Sequence, residues 1–235
     1  MQGAYKMLSQ SVKSDKRDTT YSSLQQMKIF TANYVMYANV NPPDSSSSFG
    51  IGTYSVNGDT VAESIWFRSS DSLRSEAPSG FKLVINKTLK GYKQVIPQFE
   101  SQGEKMVLTE DYDSVGTPEK SPLDGAWKLT KAYYVKGKDT TLLNVIQYKT
   151  YDGGSFIWGH SVTDANKKNH TGIGFGKFQL DGNKLKEYLM ASTYSQIRDL
   201  DFAIDIDWNG NDAFKQIINN KDSTKSVELY ERIKK

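Results

Sequence analysis

The sequence predicts an all-β protein built from two tandem eight-stranded antiparallel up-and-down barrels. Residues 50–63 recur as residues 174–187, at a constant spacing of 124 residues. Both copies consist of two runs of alternating apolar residues joined by Asn-Gly or Asp-Gly, which favour a two-residue hairpin turn. Each half of the chain holds eight short runs of this kind in the same order, and neither half shows a long helical period.

The strands of each half are predicted from runs rich in Tyr, Val, Ile and Phe that end at Gly, Asn, Asp, Ser or Pro. In the first half these runs cover residues 4–8, 24–31, 34–40, 49–56, 60–67, 81–86, 92–99 and 105–112. In the second half they cover residues 126–135, 142–151, 155–162, 172–180, 184–193, 202–207, 213–219 and 226–233. A barrel is preferred to a sandwich because a meander can pair its first and last strands, which removes exposed edges. A short helical pattern occurs only around residues 192–198.

The two halves are predicted to be separate domains, residues 1–113 and 125–235. Residues 114–124 contain two prolines and no pattern of either period, which is typical of a linker. Further matches between the halves, such as Phe81 with Phe202 and Lys93 with Lys215, lie 121 to 124 residues apart and indicate a duplication. Each half is long enough to bury its own core, so we expect both to fold when cut near Pro118.

Composition excludes several classes of function. The formal charge of +3 comes from 30 basic and 27 acidic residues spread along the chain, so no basic stripe predicts a nucleic-acid partner. No apolar run approaches the length of a membrane-spanning segment. Cysteine is absent, and the two histidines lack zinc-ligand spacing, so we predict no metal, no cofactor and no catalytic residues.

A resemblance to a known family lies mainly in the second half. Gly125, Ala126 and Trp127 at the start of its first strand, with Arg232 in its last, resemble the signature of the lipocalins and the wider calycins. In that signature the Trp and the Arg pack together and close one end of the barrel. The first half has Tyr5 in place of the Trp and Asp111 at the position expected for the Arg.

The second half is also similar to small lipocalin-like domains of exported Gram-negative bacterial proteins. The resemblance implies binding of a small apolar or amphipathic molecule. It also implies a periplasmic, cell-surface or secreted location, with a signal sequence already removed. A protein partner is not predicted by any part of the sequence.

Candidate site residues follow from the period-2 alternation of the strands. Glu187 and Gln216 fall in the apolar, inward phase, and Trp158 and His160 share one face of their strand. Polar groups inside a barrel must be hydrogen-bonded or hydrated, so these side chains form either part of a ligand site or a buried network. The predicted ligand-binding residues are Tyr148, Trp158, His160, Phe178, Glu187 and Gln216.

Two other motifs are weaker. Residues 205–210 begin like a calcium loop, but its twelfth position is the neutral Gln216. The glycines of residues 172–176 lack the helix of a nucleotide loop and are typical of strands that bend or approach a neighbour closely. Two alternatives to a binding protein stay open: a scaffold or interaction module with filled barrels, and an enzyme that uses inward carboxylates.

Overall fold

The first barrel is built from the first ten strands of the chain. The computed structural model describes residues 1–40, 47–101, 103–197, 201–220 and 222–234. Its first sheet comprises β1 (Gly3–Lys13), β2 (Asp18–Tyr21), β3 (Gln25–Phe30), β4 (Tyr34–Val40), β5 (Ser48–Asn57), β6 (Thr60–Ser70), β7 (Arg74–Ser75), β8 (Ser79–Lys87), β9 (Gly91–Ser101) and β10 (Glu104–Ser114). Pairing of β10 with β1 closes the barrel. The short strands β2 and β7 only extend the edges of β1 and β6, so eight strands form the closed wall.

The second barrel repeats this topology. Its sheet comprises β11 (Gly125–Lys136), β12 (Asp139–Leu143), β13 (Ile146–Asp152), β14 (Ser155–Thr163), β15 (Asn169–Asp181), β16 (Lys184–Ser192), β17 (Asp201–Trp208), β18 (Ala213–Asn219) and β19 (Lys225–Arg232). Pairing of β19 with β11 closes it, and β12 extends the edge as β2 does in the first barrel. The predicted fold of two eight-stranded antiparallel barrels is confirmed. The strand predicted over residues 142–151 is divided into β12 and β13, and the predicted helical turn is a 3-10 helix at Ser195–Ile197.

The register of the closing strands corrects one prediction. Trp127 lies opposite Arg232 in the second barrel, and the equivalent Tyr5 lies opposite Ser114 in the first. Equivalent positions of β10 and β19 are therefore 118 residues apart, outside the predicted range of 121 to 124. The position equivalent to the arginine is therefore Ser114, and Asp111 instead pairs with Ser9. The cause is the final hairpin, which is longer in the first barrel than in the second and therefore shortens the spacing between equivalent positions of β10 and β19.

The two barrels pack against each other through the outer faces of β3–β6 and β13–β16. This shared apolar cluster contains side chains that are at most 1% exposed: Met36, Ala38, Phe49 and Ile51 from the first barrel, with Ile157, Ile173, Phe175 and Ala191 from the second. Gly159 lies directly against Phe49, since a Cβ there would be 2.5 Å from the ring. Cutting the chain between the barrels and separating the halves would expose this cluster, which weighs against independent folding.

One end of the second barrel is closed by the pair that the resemblance implies. The guanidinium of Arg232 lies 4.1 Å from the centroid of the Trp127 ring. The indole N–H of Trp127 donates to the Leu123 carbonyl at 2.7 Å, and Arg232 donates to the carbonyls of Asp124 at 2.6 Å and Pro122 at 2.8 Å. The end of the predicted linker is therefore part of this cap. A guanidinium stacked on an indole stabilises the closed end by about 0.5–2 kcal/mol.

Candidate functional site

The interior of the second barrel is layered from its closed end to its open end. Aromatic side chains fill the closed end, where the rings of Trp127 and Phe214 lie 4.7 Å apart and those of Phe214 and Tyr230 lie 5.0 Å apart. A polar layer follows, because the next inward positions of β13, β16, β18 and β19 carry Lys149, Glu187, Gln216 and Glu228. Above that layer the inward side chains are mainly apolar or aromatic and enclose a cavity.

The polar layer is a connected hydrogen-bond network around Lys149. Its Nζ donates to Oε1 of Glu187 and to Oε1 of Gln216, both at 3.1 Å. Gln216 in turn donates through Nε2 to Oε2 of Glu228 at 2.7 Å. Lys149, Glu187 and Gln216 are all buried, and burying charges is tolerated only when they are paired and hydrogen-bonded. The buried-network interpretation of Glu187 and Gln216 therefore describes part of their role.

Two tyrosines connect this layer to the aromatic closed end. Tyr151 donates its hydroxyl to Oε1 of Glu187 at 2.6 Å, and Tyr230 donates to Oε2 of Glu228. Burial, reinforced by the neighbouring Glu187, raises the pKa of Tyr151 well above its usual value, and burial with Glu228 does the same to the pKa of Tyr230. Both hydroxyls therefore stay protonated and act as donors to the carboxylates.

The first barrel contains the same network at equivalent positions. Lys28 donates to Glu63 at 3.0 Å and to Gln94 at 3.1 Å, and Gln94 donates to Glu110 at 2.7 Å. Six inward residues are identical in type between the copies: Gln26, Lys28, Glu63, Gln94, Glu110 and Tyr112 correspond to Gln147, Lys149, Glu187, Gln216, Glu228 and Tyr230. The sequence prediction misses the lysine, the second glutamate, the first glutamine and the tyrosine. Identity between the two copies at inward polar positions is the signal that identifies them.

The cavity above the polar layer has a volume of about 330 Å³ in the second barrel and about 130 Å³ in the first. Ligand pockets usually measure about 300–1,000 Å³, so of these two only the second is large enough for a small organic molecule. Its walls are mainly apolar and come from Leu189, Ile197, Phe202, Ile204 and Ile218. Lys149, Glu187, Gln216 and Glu228 form its floor.

An aromatic stack stands at the open end of the cavity. The rings of Trp158 and His160 are stacked at 5.6 Å, and Tyr194 lies 6.2 Å from Trp158 and hydrogen-bonds His160 at 2.8 Å. Glycines on β15 make room for this stack, because a Cβ at Gly172 would overlap the ring of His160 and one at Gly174 would overlap that of Trp158. The close-approach interpretation of these glycines is confirmed. Burial lowers the pKa of His160 to about 4, so its imidazole is neutral near pH 7.

Differences at inward positions account for the difference in volume. Leu108 of the first barrel lies opposite Ile96, and the equivalent position opposite Ile218 is Ser226, a much smaller side chain. Ser226 lines the larger cavity. Tyr37 and Asn39 are replaced by the larger Trp158 and His160, which do not add volume but extend the aromatic surface of the cavity.

One further difference exposes a carboxylate to the cavity. In the first barrel Gln10 lies opposite Glu110 and donates to its Oε1 at 2.9 Å. In the second barrel the residue opposite Glu228 is Ala132, which has no side-chain donor. None of the hydrogen bonds among the described residues reaches Oε1 of Glu228.

The cavity brings together four of the six predicted ligand-binding residues, namely Trp158, His160, Glu187 and Gln216. Tyr148 and Phe178 do not line it. Tyr148 precedes the inward Lys149, so alternation turns it outward, where its ring lies 5.1 Å from Phe67 of the other barrel. Phe178 packs on Tyr151 at 5.0 Å, toward the closed end.

The aspartates that resemble a calcium loop are paired with lysines of the two neighbouring strands. Asp205 and Asp207 lie in β17, where their carboxylates approach Lys184 at 2.5 Å and Lys215 at 2.6 Å. Across the described ranges, no group of three or more His, Cys, Asp or Glu side chains could hold a metal ion. No helix within those ranges is long and apolar enough to cross a membrane.

The fold and the cavity define a tandem-barrel protein with an internal cavity in its second barrel. No family model matches the chain, and no curated protein matches it. A crystal structure of the vaccine antigen transferrin-binding protein B from Haemophilus parasuis, a tryptophan-to-alanine mutant, is similar at 10% identity with a TM-score of 0.27. The match covers 93% of this chain and 63% of that one, so this chain spans less than two thirds of its length. A likeness this distant identifies neither a family nor a ligand.

Proposed function

We propose that this is a lipocalin-like binding protein that holds a small apolar or amphipathic molecule inside the second barrel. The observation that carries the proposal is the cavity of about 330 Å³, compared with about 130 Å³ at the equivalent place in the first barrel. Ser226 in place of Leu108 contributes space to this cavity and leaves the underlying polar network intact. Both barrels fold with the same topology, so the fold does not require the larger cavity of the second barrel. A bound ligand explains that larger cavity better.

The composition of the cavity sets the orientation of the ligand. Its apolar walls and its aromatic stack lie toward the open end, and its polar groups lie on the floor. An amphipathic molecule that enters from the open end therefore places its polar group deep and its apolar body between Trp158 and Phe202. Apolar pockets with a few polar groups at one end are typical of small-molecule sites.

The first barrel supports a different function, that of a scaffold. Its cavity is below the usual size of a ligand pocket, and Leu108 occupies the inward position that Ser226 leaves open. Gln10 also caps the carboxylate of Glu110. We assign this barrel the role of packing against the second barrel through the shared apolar cluster.

Uptake of a neutral fluorescent probe, N-phenyl-1-naphthylamine, tests the proposal. Ser226→Leu places the first barrel's side chain in the cavity and is expected to weaken probe binding at least about tenfold, the equivalent of ~1.4 kcal/mol. The matched control is Leu108→Ser, which is expected to leave binding by the second barrel unchanged. Circular dichroism and melting verify that both variants are folded. Equal probe binding by wild type and Ser226→Leu would overturn the proposal.

We also propose export to the periplasm or the cell surface, which the resemblance to exported lipocalin-like domains supports. Fractionation of the native organism, with an antibody against this chain, tests it. Recovery of the protein with cytoplasmic markers would overturn this part of the proposal.

A further inference from the structure

The floor of the second-barrel cavity has more acidic than basic groups. It contains one lysine, Lys149, and two glutamates, Glu187 and Glu228, so its formal charges sum to −1. Lys149 already donates to Glu187 and Gln216, and both of those acceptors belong to the floor itself. An anionic head group would therefore approach two carboxylates and a lysine whose charge is already paired, an unfavourable arrangement in a site with little water.

Among the described residues, two carboxylate oxygens of this floor receive no hydrogen bond, Oε2 of Glu187 and Oε1 of Glu228. The first is equally unreached in the equivalent Glu63 of the first barrel. The acceptor that differs between the barrels is therefore Oε1 of Glu228. Its other oxygen, Oε2, accepts hydrogen bonds from Gln216 at 2.7 Å and from Gln147 at 3.2 Å. The first barrel satisfies the equivalent oxygen of Glu110 with Gln10, and Ala132 stands at that position in the second barrel. A partly buried acceptor that has lost its protein donor favours a ligand that brings donors of its own.

We infer that the ligand carries an ammonium group at its buried end and an apolar body, and that Glu228 is the residue that recognises the ammonium. This inference rests on the proposed function. An ammonium supplies three hydrogen-bond donors and a positive charge, which matches an uncapped carboxylate on a floor of negative formal charge.

The volume of the cavity limits the size of the ligand. A water molecule takes up about 30 Å³ in the liquid, so 330 Å³ equals the space of about eleven water molecules. That space accommodates a short alkyl chain with its head group or a compact aromatic molecule such as N-phenyl-1-naphthylamine. Small alkyl or aromatic primary amines meet this limit, whereas long-chain lipids do not. Hexylamine, hexanol and hexanoate form a matched series of equal length with cationic, neutral and anionic head groups.

Displacement of N-phenyl-1-naphthylamine from the full chain at pH 7 by these three compounds tests the inference. Hexylamine is expected to displace the probe at a concentration about tenfold or more below that of hexanoate, with hexanol between them. Ala132→Gln installs the first barrel's cap on Glu228 and is expected to reduce hexylamine to the level of hexanol. Glu228→Gln is expected to have the same effect, and Gln10→Ala in the first barrel serves as the control with unchanged displacement.

The outcomes separate this inference from the proposed function. Probe binding with no advantage of hexylamine over hexanoate would overturn the ammonium inference and leave the proposed function standing. A full hexylamine advantage in Ala132→Gln and in Glu228→Gln would overturn the role of Glu228. Absence of probe binding by wild type would overturn the proposed function and the inference together.

Discussion

The buried pair of Lys149 and Glu187 leads to a quantitative prediction for Lys149→Met. The two side chains are 3% and 5% exposed and 3.1 Å apart, so each charge has little access to water when the other is removed. Removing one partner of a buried pair typically costs about 3–5 kcal/mol, because the remaining charge stays buried without compensation. In Lys149→Met the carboxylate of Glu187 would keep only Tyr151 as a donor among its present partners. We expect the free energy of unfolding to fall by about 3–5 kcal/mol.

Urea unfolding followed by tryptophan fluorescence and circular dichroism measures this loss, and a second substitution isolates its cause. Adding Glu187→Gln to Lys149→Met removes the stranded charge while keeping an acceptor for Tyr151, and is expected to recover about 1–3 kcal/mol. Lys28→Met provides a replicate in the first barrel, where Lys28 and Glu63 are both 4% exposed and 3.0 Å apart. Its loss should be at least as large, because Phe30 stands where the second barrel has Tyr151 and supplies no hydroxyl.

The reasoning would be refuted by either of two results. A loss below about 1 kcal/mol in Lys149→Met would mean that water or rearrangement compensates the buried Glu187, contrary to its burial in the structure. A further loss on adding Glu187→Gln would mean that the pair is held together by packing and not by charge.

Three further predictions concern packing and pH. Gly159→Ala is expected to lower the free energy of unfolding by about 1–3 kcal/mol, because its Cβ would meet the Phe49 ring at 2.5 Å. The control Gly80→Ala has its nearest contact at 3.9 Å and should be nearly neutral. Urea titrations compare the two variants. Trp127→Ala removes a fully buried ring from the closed end and is expected to cost about 3–5 kcal/mol, visible as a lower melting temperature. Burial lowers the pKa of His160 from 6.5 to about 4, so the unfolded chain binds its proton first. The stability that neutral His160 contributes is therefore complete above pH 6.5 and is lost as the pH falls toward 4. The free energy of unfolding changes by at most ~1.4 kcal/mol per pH unit in this window. His160→Asn, which installs the first barrel's residue, should remove that part of the pH dependence.

Much of the strand pattern is predictable from the sequence because each barrel hides one face of every strand. Leu185, Glu187 and Leu189 all point inward, as their spacing of two residues implies, and all three are at most 4% exposed. The turn dipeptides that begin at Asn57 and Asp181 identify which strands are neighbours, since each joins two strands that pair in the structure. Local sequence therefore determines the strands and their order.

Other features cannot be predicted because they depend on contacts distant in sequence. Lys149 lies in a run that is typical of an ordinary strand, and only the closed barrel brings it to Glu187, which is 38 residues away. The sequence prediction places Tyr148 in the site although Lys149 takes the inward position, since an aromatic residue is a more familiar occupant of an interior than a lysine. In β13–β16 the outer face, which packs on the other barrel, is as apolar as the inner face, so composition alone does not show which face of these strands points into the barrel.

The duplication separates what the fold requires from what a ligand requires. Six residues of the inward polar network are identical in type in both barrels, including Lys28 and Lys149, although only the second of these two interiors has a cavity of ligand size. A role in ligand binding alone would not preserve it in the first barrel, so the network belongs to the fold of each copy. The positions that differ, Ser226 and Ala132 among them, lie on or beside the cavity and determine its volume and its free carboxylate. On the proposed function, specificity for a ligand therefore resides in side chains that the two barrels do not share, placed on a framework that they do share.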